Sequence, residues 1–304
     1  MRASFRVAIA FLVAVFVASA CGGGSTGGTK PTVTIGSTNF TEQLILGELY
    51  AQILEANGYT VTRKFNLGNR EIVFPALTSN PKGIDMEADY LATLLAFVDK
   101  TATGSTDPKA TQAALQKALD SKGLTVLDYA PAVDQNGFVV TKATADRLKV
   151  AKLSDLAAVG NQLILGGPPE CPARPFCALG LKNTYGITFK DFKALDSGGP
   201  LTVAALKGAQ IDVGLLFTSD STIATNNFVL LDDDKHLQLS DNVAPIVRND
   251  LLSSAPSDFK TLINSIAPKL TTAELTGLNK QADVDKTDPK DIAKAWLKKQ
   301  GLIK

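Results

Sequence analysis

Five aromatic residues, Phe40, Tyr90, Phe138, Phe176 and Phe217, stand at or near the ends of β-rich runs. A ring face is the negative end of a quadrupole, so rings that converge form a box for a cation. A quaternary ammonium suits such a box because it has no hydrogen bond to donate, and each ring contributes roughly 0.5–2 kcal/mol once water is excluded. Taken singly, each ring reads most simply as core. Taken together they do not. Tyr90 and Phe217 close the similar runs "GIDMEADY" and "QIDVGLLF", and Phe176 sits in "ECPARPFC" between two cysteines. Polar groups stand beside the rings: Asn39, Thr41, Glu42 and Gln43 in "STNFTEQ", and Glu87 and Asp89 before Tyr90. Asn39 and Glu42 have capping-box spacing, which makes helix capping one expectation. The other places Asn39, Phe40 and Gln43 on a cleft rim, at a helix N-terminus with free backbone donors. Glu87 and Asp89 alternate with Met86 and Ala88, so solvent exposure is expected for both; turned inward, they would add negative charge to the box.

Other chemistries find little support. The single histidine, His236, follows the acidic turn Asp232-Asp233-Asp234, which reads as solvated rather than metal-binding. Nucleophilic catalysis wants a histidine beside its nucleophile, and no P-loop pattern appears. The chain therefore reads as no enzyme, with no metal and no cofactor. A net charge of +1 over 304 residues argues against a nucleic-acid partner.

The N-terminus is a targeting segment. Arg2 and Arg6 precede an apolar run, Val7 to Ala20, that is too short to span a membrane. Ala18-Ser19-Ala20-Cys21 then resembles a lipobox. Residues 1–20 are expected to be a signal peptide, and residues 21–30 a Gly/Ser/Thr-rich tether lipidated on Cys21. A plain secretory cut near Ala20 is the alternative. Either way the folded part works outside the cytoplasm, and with the lipid it is held at the membrane surface. In that compartment the remaining pair, Cys171 and Cys177, reads as a disulfide. It fixes a small loop that carries Arg174, Pro175 and Phe176.

The elements that position these residues alternate strand with helix. "PTVTIG" is a strand, residues 41–57 a helix with apolar rows Ile45-Leu49-Ile53 and Leu46-Tyr50-Leu54, "TVTRKFNLG" a strand, residues 70–78 a helix. This alternation predicts an α/β fold with parallel sheets. The plan is doubled: Asp85 and Asp212 stand 127 residues apart, as do Tyr90 and Phe217, and Ser37 and Gly167 stand 130 apart. Two units of one topology are expected. Residues 31–134 and 241–304 would form lobe I and residues 135–240 lobe II, with hinge crossings near residues 133–137 and 239–244. In the tail, residues 289–300 read as a helix with Asp288 as N-cap and Pro289 first.

At this point "NFTEQ", "GIDMEADY", "GLKNTYGI", "GAQIDVGLLFTSD", "VLLDDDKH" and "APIVR" together resemble the osmoprotectant-binding lipoproteins of ABC importers, which take up glycine betaine, carnitine or choline. The likeness covers nearly all of the mature chain, in order. It implies a periplasmic-binding-protein clamshell of two α/β lobes that captures a quaternary ammonium solute and delivers it to a membrane permease. By matching position it implies that Gln43 meets the ligand's tail, and that Tyr90, with Thr93 three further on, lines the cage. Phe138 and Phe217 fall on cage tyrosines. The fourth cage position falls on Phe176 or, aligned from Arg174-Pro175, on Ala178. Arg174 would pair with a ligand carboxylate, for which a guanidinium is built. Phenylalanine replaces tyrosine at most of these places, which keeps the π face and loses a hydroxyl. A different ligand in the same clamshell, an amino acid or an aromatic compound, is the alternative.

Overall fold

The computed structural model describes residues 30–304; the expected signal peptide, Cys21 and most of the expected tether lie outside them. Two five-stranded sheets organise the chain. The first is built from β1 (Thr32–Gly36), β2 (Thr60–Lys64), β3 (Met86–Tyr90) and β4 (Leu124–Val126). The second uses β5 (Asn136–Thr141), β6 (Ile164–Gly167), β7 (Asp191–Ala194), β8 (Val213–Phe217) and β9 (Phe228–Leu230). The chain then returns, and β10 (Val243–Arg248) enters the first sheet. The strand orders are β2-β1-β3-β10-β4 and β7-β6-β8-β5-β9. Position by position the two sheets share one topology, which makes a two-lobed α/β clamshell with two crossings.

The sheets are mixed rather than purely parallel. β1 runs parallel to β2 and β3, and β6 parallel to β7 and β8. β10 and β5 are antiparallel to both of their neighbours. Each of these two strands follows a crossing between lobes, so it enters its sheet from the end where the lobes meet. An antiparallel pair needs no crossover helix. The crossings pair with each other as well: Val133 bridges Asn242, and the Asp134 N–H donates to the Asp241 carbonyl at 3.0 Å.

The Ile-Asp repeat has a physical meaning. Asp85 precedes β3, and its carboxylate accepts from the Thr34 N–H on β1 at 2.8 Å. Asp212 precedes β8, and its carboxylate accepts from the Ile164 N–H on β6 at 3.0 Å. Each aspartate ties the strand it introduces to the neighbouring strand.

The first helix, α1 (Thr41–Ala56), carries the two apolar rows anticipated, and they are buried. Gly58, at φ +81°, terminates it in a conformation that favours glycine. On the sheet's other side lie α2 (Arg70–Thr78) and α3 (Leu91–Val98). The tail helices Asp258–Asn264, Thr272–Asp283 and Pro289–Lys299 follow β10. Their Phe259, Leu275, Ile292 and Trp296 share one core with Ile45, Leu49 and Ile53 of α1. Asp288 caps the last helix through the Lys290 N–H at 2.8 Å. The second sheet has its own core, around Leu165, Val213 and Leu215.

Candidate ligand-binding site

The strand ends of both sheets face one cleft. β1 leads into Asn39 and Phe40, β3 ends on Tyr90, the disulfide loop follows β6, and β8 ends on Phe217. These residues, with Thr38, Gln43, Thr93, Arg174 and Phe176, line a cavity of about 120 Å³ drawn from both lobes. Ordinary ligand pockets run from about 300 to 1,000 Å³, so the space suits a compact solute.

Phe40 is the N-cap residue of α1, with an extended backbone and no side-chain cap bond. The capping box expected of Asn39 and Glu42 is not formed. Phe40 instead turns its ring between the lobes. Its centroid lies 4.9 Å from that of Phe217 and 6.4 Å from that of Tyr90. Gly198 seats Phe217: its φ is +69°, and a Cβ there would fall 2.8 Å from the ring.

Hydrogen bonds fix the cleft floor. Gln43 is buried and donates through Nε2 to the Tyr90 hydroxyl at 3.1 Å. The Tyr90 hydroxyl donates to Glu42 Oε1 at 2.6 Å. Glu42 Oε2 accepts from the Ser219 hydroxyl and from Asn279 Nδ2, both at 2.6 Å. Ser219 follows β8, so this carboxylate joins the two lobes. Glu42 is buried, and burial pushes its carboxyl up while its three donors oppose the rise. Burial also lifts the Tyr90 phenol well above its usual range, and the neighbouring Glu42 and Asp134 charges add to that.

Asp89 and Glu87 are buried, contrary to their expected exposure. Both faces of β3 are covered, one by α1 and the other by α2 and α3. Asp89 holds Arg70 through two hydrogen bonds, at 2.9 and 2.5 Å, and Arg70 also donates to Thr93 Oγ1 at 2.9 Å. Burial alone would lower the Arg70 pKa; the Asp89 carboxylate outweighs it and leaves the guanidinium firmly charged. Across the cleft Arg174 reaches Glu71 at 2.8 Å and lies over the Phe97 ring at 5.5 Å. Burial and the like charge of Arg70 pull its pKa down.

A disulfide joins Cys171 and Cys177. The Phe176 carbonyl accepts from Asn136 Nδ2 at 2.9 Å and Gln238 Nε2 at 3.0 Å, which pins the loop. Gly180 lets the loop pass, since a Cβ there would meet the Pro175 carbonyl at 1.9 Å. Phe176 lines the cleft, whereas Ala178 opens the short helix Ala178–Gly180 and does not.

Phe138 is the residue the structure takes away from the cleft. It is buried in the core of the second sheet. β5 runs antiparallel to β8, so its rim residue is Asn136, opposite Phe217. Phe138 lies two residues further in, about 7 Å from the rim. Sequence reasoning also left out Arg70, Asp134 and Asp241, which line the cleft. Arg70 read only as a helix start. Asp134 and Asp241 sit in the crossings and carry no motif. The acidic turn proves structural: Asp233 accepts from Tyr185 and Asp234 from Ser154. Among the described residues no cluster of His, Cys, Asp or Glu is arranged to hold a metal.

Residues 31–299 match a family described as the substrate binding domain of ABC-type glycine betaine transport systems, OpuAC. The glycine-betaine-binding protein of Pseudomonas aeruginosa is 27% identical over 283 residues, spanning 90% of this chain and 89% of that protein. The carnitine transport binding protein OpuCC of Listeria monocytogenes is 27% identical over 296 residues, spanning 95% and 93%. A crystal structure of a glycine betaine/carnitine/choline ABC transporter superposes with a TM-score of 0.69 at 28% identity, covering 89% of this chain and 99% of that one. The chain belongs to this family of substrate-binding domains of ABC-type glycine betaine importers.

Proposed function

We propose that the protein captures a quaternary ammonium solute of the betaine, carnitine or choline type between its lobes and presents it to an ABC permease. The observation that carries this reading is the convergence of Phe40, Tyr90 and Phe217 from two lobes on one small cavity. In this reading the methylated head lies against those rings and Phe176, with Asn39, Gln43 and Thr93 around it. Arg174, with Arg70 behind it, takes a carboxylate where the ligand has one. Residues 31–134 and 241–304 move as lobe I and residues 135–240 as lobe II. They bend at residues 133–137 and 239–244, and the ligand shifts the open–closed population. Among the described residues no helix is long and apolar enough to cross a membrane. A lipid on Cys21 is the proposed anchor, placing the protein on the outer face of the cell membrane.

A second reading, an amino acid or aromatic ligand in the same clamshell, draws on the Phe-rich lining and on a Tyr90 hydroxyl already committed to Glu42. A thermal-shift screen separates the two. At a hundredfold excess over its dissociation constant a ligand stabilises by about 2.7 kcal/mol. Glycine betaine, carnitine or choline should raise the unfolding temperature and free amino acids should not. Stabilisation by amino acids or aromatic compounds alone would overturn the quaternary ammonium reading.

A further inference from the structure

Beneath the rings lies a group of buried acids at the cleft floor, of which Asp134 also lines the cavity. Glu42 from α1 and Asp134 from the first crossing are both buried, and Ser219 bridges them. The Ser219 hydroxyl donates to Glu42 at 2.6 Å, and its N–H donates to Asp134 at 3.0 Å. Glu42 also receives the Tyr90 hydroxyl and the Asn279 amide. Among the described residues, every hydrogen-bond partner of these two carboxylates is a neutral donor. The charged groups around them are mostly acidic: Asp220 beyond β8, Asp283 on the helix Thr272–Asp283 and Asp241 in the return crossing. On the Asp241 side the charge of Arg70, itself held by Asp89, acts on Asp241, and that of Lys286 acts on Asp283. A second cavity of about 640 Å³ shares Phe40 and Phe217 with the first and reaches Glu42, Ser219 and Asn279, while Asp134 lines the first, so each carboxylate borders a cavity.

We propose that Glu42 and Asp134, bridged by Ser219, are the proton-linked counter-charge of the cage, so that capture of a cation and closure of the lobes release a proton from the pair. The inference rests on the quaternary ammonium reading. Glu42 is a positioning residue: it fixes the Tyr90 ring through the hydroxyl and receives Ser219 from the opposite lobe. With no cation hydrogen-bonded to either among the described residues, two buried carboxylates resist ionising together. Burial holds both above the usual carboxylate range; the Glu42 charge raises Asp134 further, and the Asp283 charge raises Glu42. A positive guest against Tyr90 favours the ionised pair. Affinity for a cation is therefore high where the pair is ionised and falls as pH drops.

The test is calorimetric titration of the full chain with tetramethylammonium and with choline, neither of which titrates in the range used. Titrations at pH 5 and pH 8, in two buffers of different ionisation enthalpy, read affinity and proton release together. A one-unit shift of the pair corresponds to an affinity about tenfold lower at pH 5 than at pH 8, with a buffer-dependent heat. Glu42→Gln and Asp134→Asn should each flatten that dependence, because the remaining carboxylate ionises at lower pH once its neighbour is gone. Ser219→Ala keeps both charges and removes a donor, so it should move the midpoint of the affinity curve to higher pH. An affinity independent of pH in the wild type, with no buffer dependence of the heat, overturns the linkage and leaves the cage intact. A pH dependence that survives in both charge variants overturns the assignment to this pair. Failure of both cations to bind at pH 8 overturns the linkage, and failure of glycine betaine and carnitine as well overturns the quaternary ammonium reading itself.

Discussion

Glu87 is fully buried in β3, and neither of its carboxylate oxygens has a hydrogen-bond partner among the described residues. Burial, with Asp89 beside it, pushes its pKa well above the usual carboxylate range, against the opposition of Arg70. Leaving a buried polar group unpaired costs about 1–3 kcal/mol. Glu87→Met, of similar length and apolar, is expected to raise stability by roughly that amount in urea unfolding. A loss of stability would mean that the carboxyl has a partner the hydrogen-bond network does not contain. Glu87 also shows where residue-level reading ends. Alternation along a strand says which side chains share a face, not whether that face is covered. Tyr90 and Phe217 were legible because the repeat put them at equivalent positions. Phe138, given a cage place by the family likeness, lies in the core of the second sheet because its strand runs antiparallel, a direction invisible in a local run. Glu42 passed for a helix cap because its true partners, Ser219 and Asn279, lie far along the chain.

At the scale of elements, the disulfide loop offers the clearest contrast between stability and function. The bridge spans a sequence separation of only 6 residues, so chain entropy credits it with about 2 kcal/mol. The loop also carries Arg174 and Phe176, which line the cleft. The double variant Cys171→Ala/Cys177→Ala should lose about 2 kcal/mol in denaturant unfolding. It should bind choline about tenfold more weakly by calorimetry, as loss of one well-placed ring allows. Lost stability with unchanged affinity would reduce the loop to a scaffold. Helices and strands themselves were readable from periodicity, and the apolar rows of α1 are buried as expected. Parallel sheets were expected from the same alternation, yet β5 and β10 run antiparallel. The reason lies in the two crossings, which no single βαβ pattern reveals.

For the whole molecule, the buried acids make closure and pH one subject. Burial lifts the Asp241 carboxyl to about 7, against opposition from the Thr93 N–H and Arg70. Glu42, Asp134 and Glu87 are raised in the same sense. Carboxyls of the unfolded chain titrate near pH 4, so between about pH 4 and 7 the folded state holds more protons than the unfolded one. Stability of the unliganded protein therefore falls as pH rises through that window, by about 1.4 kcal/mol per pH unit for each proton. Urea midpoints at pH 5 and pH 8 check this, with the higher midpoint expected at pH 5; a higher midpoint at pH 8 would contradict it. The doubled plan that makes such a site was legible in the spacing of Asp85 and Asp212. That the lobes meet with Phe40 between Tyr90 and Phe217 was not, since contact across a cleft leaves no local pattern. The central claim is that these rings bind a cation together, and calorimetric titration of choline into wild type, Tyr90→Ala and Phe217→Ala tests it most directly. Each variant should bind about 2- to 30-fold more weakly, the equivalent of one ring face; affinity unchanged in both would contradict it.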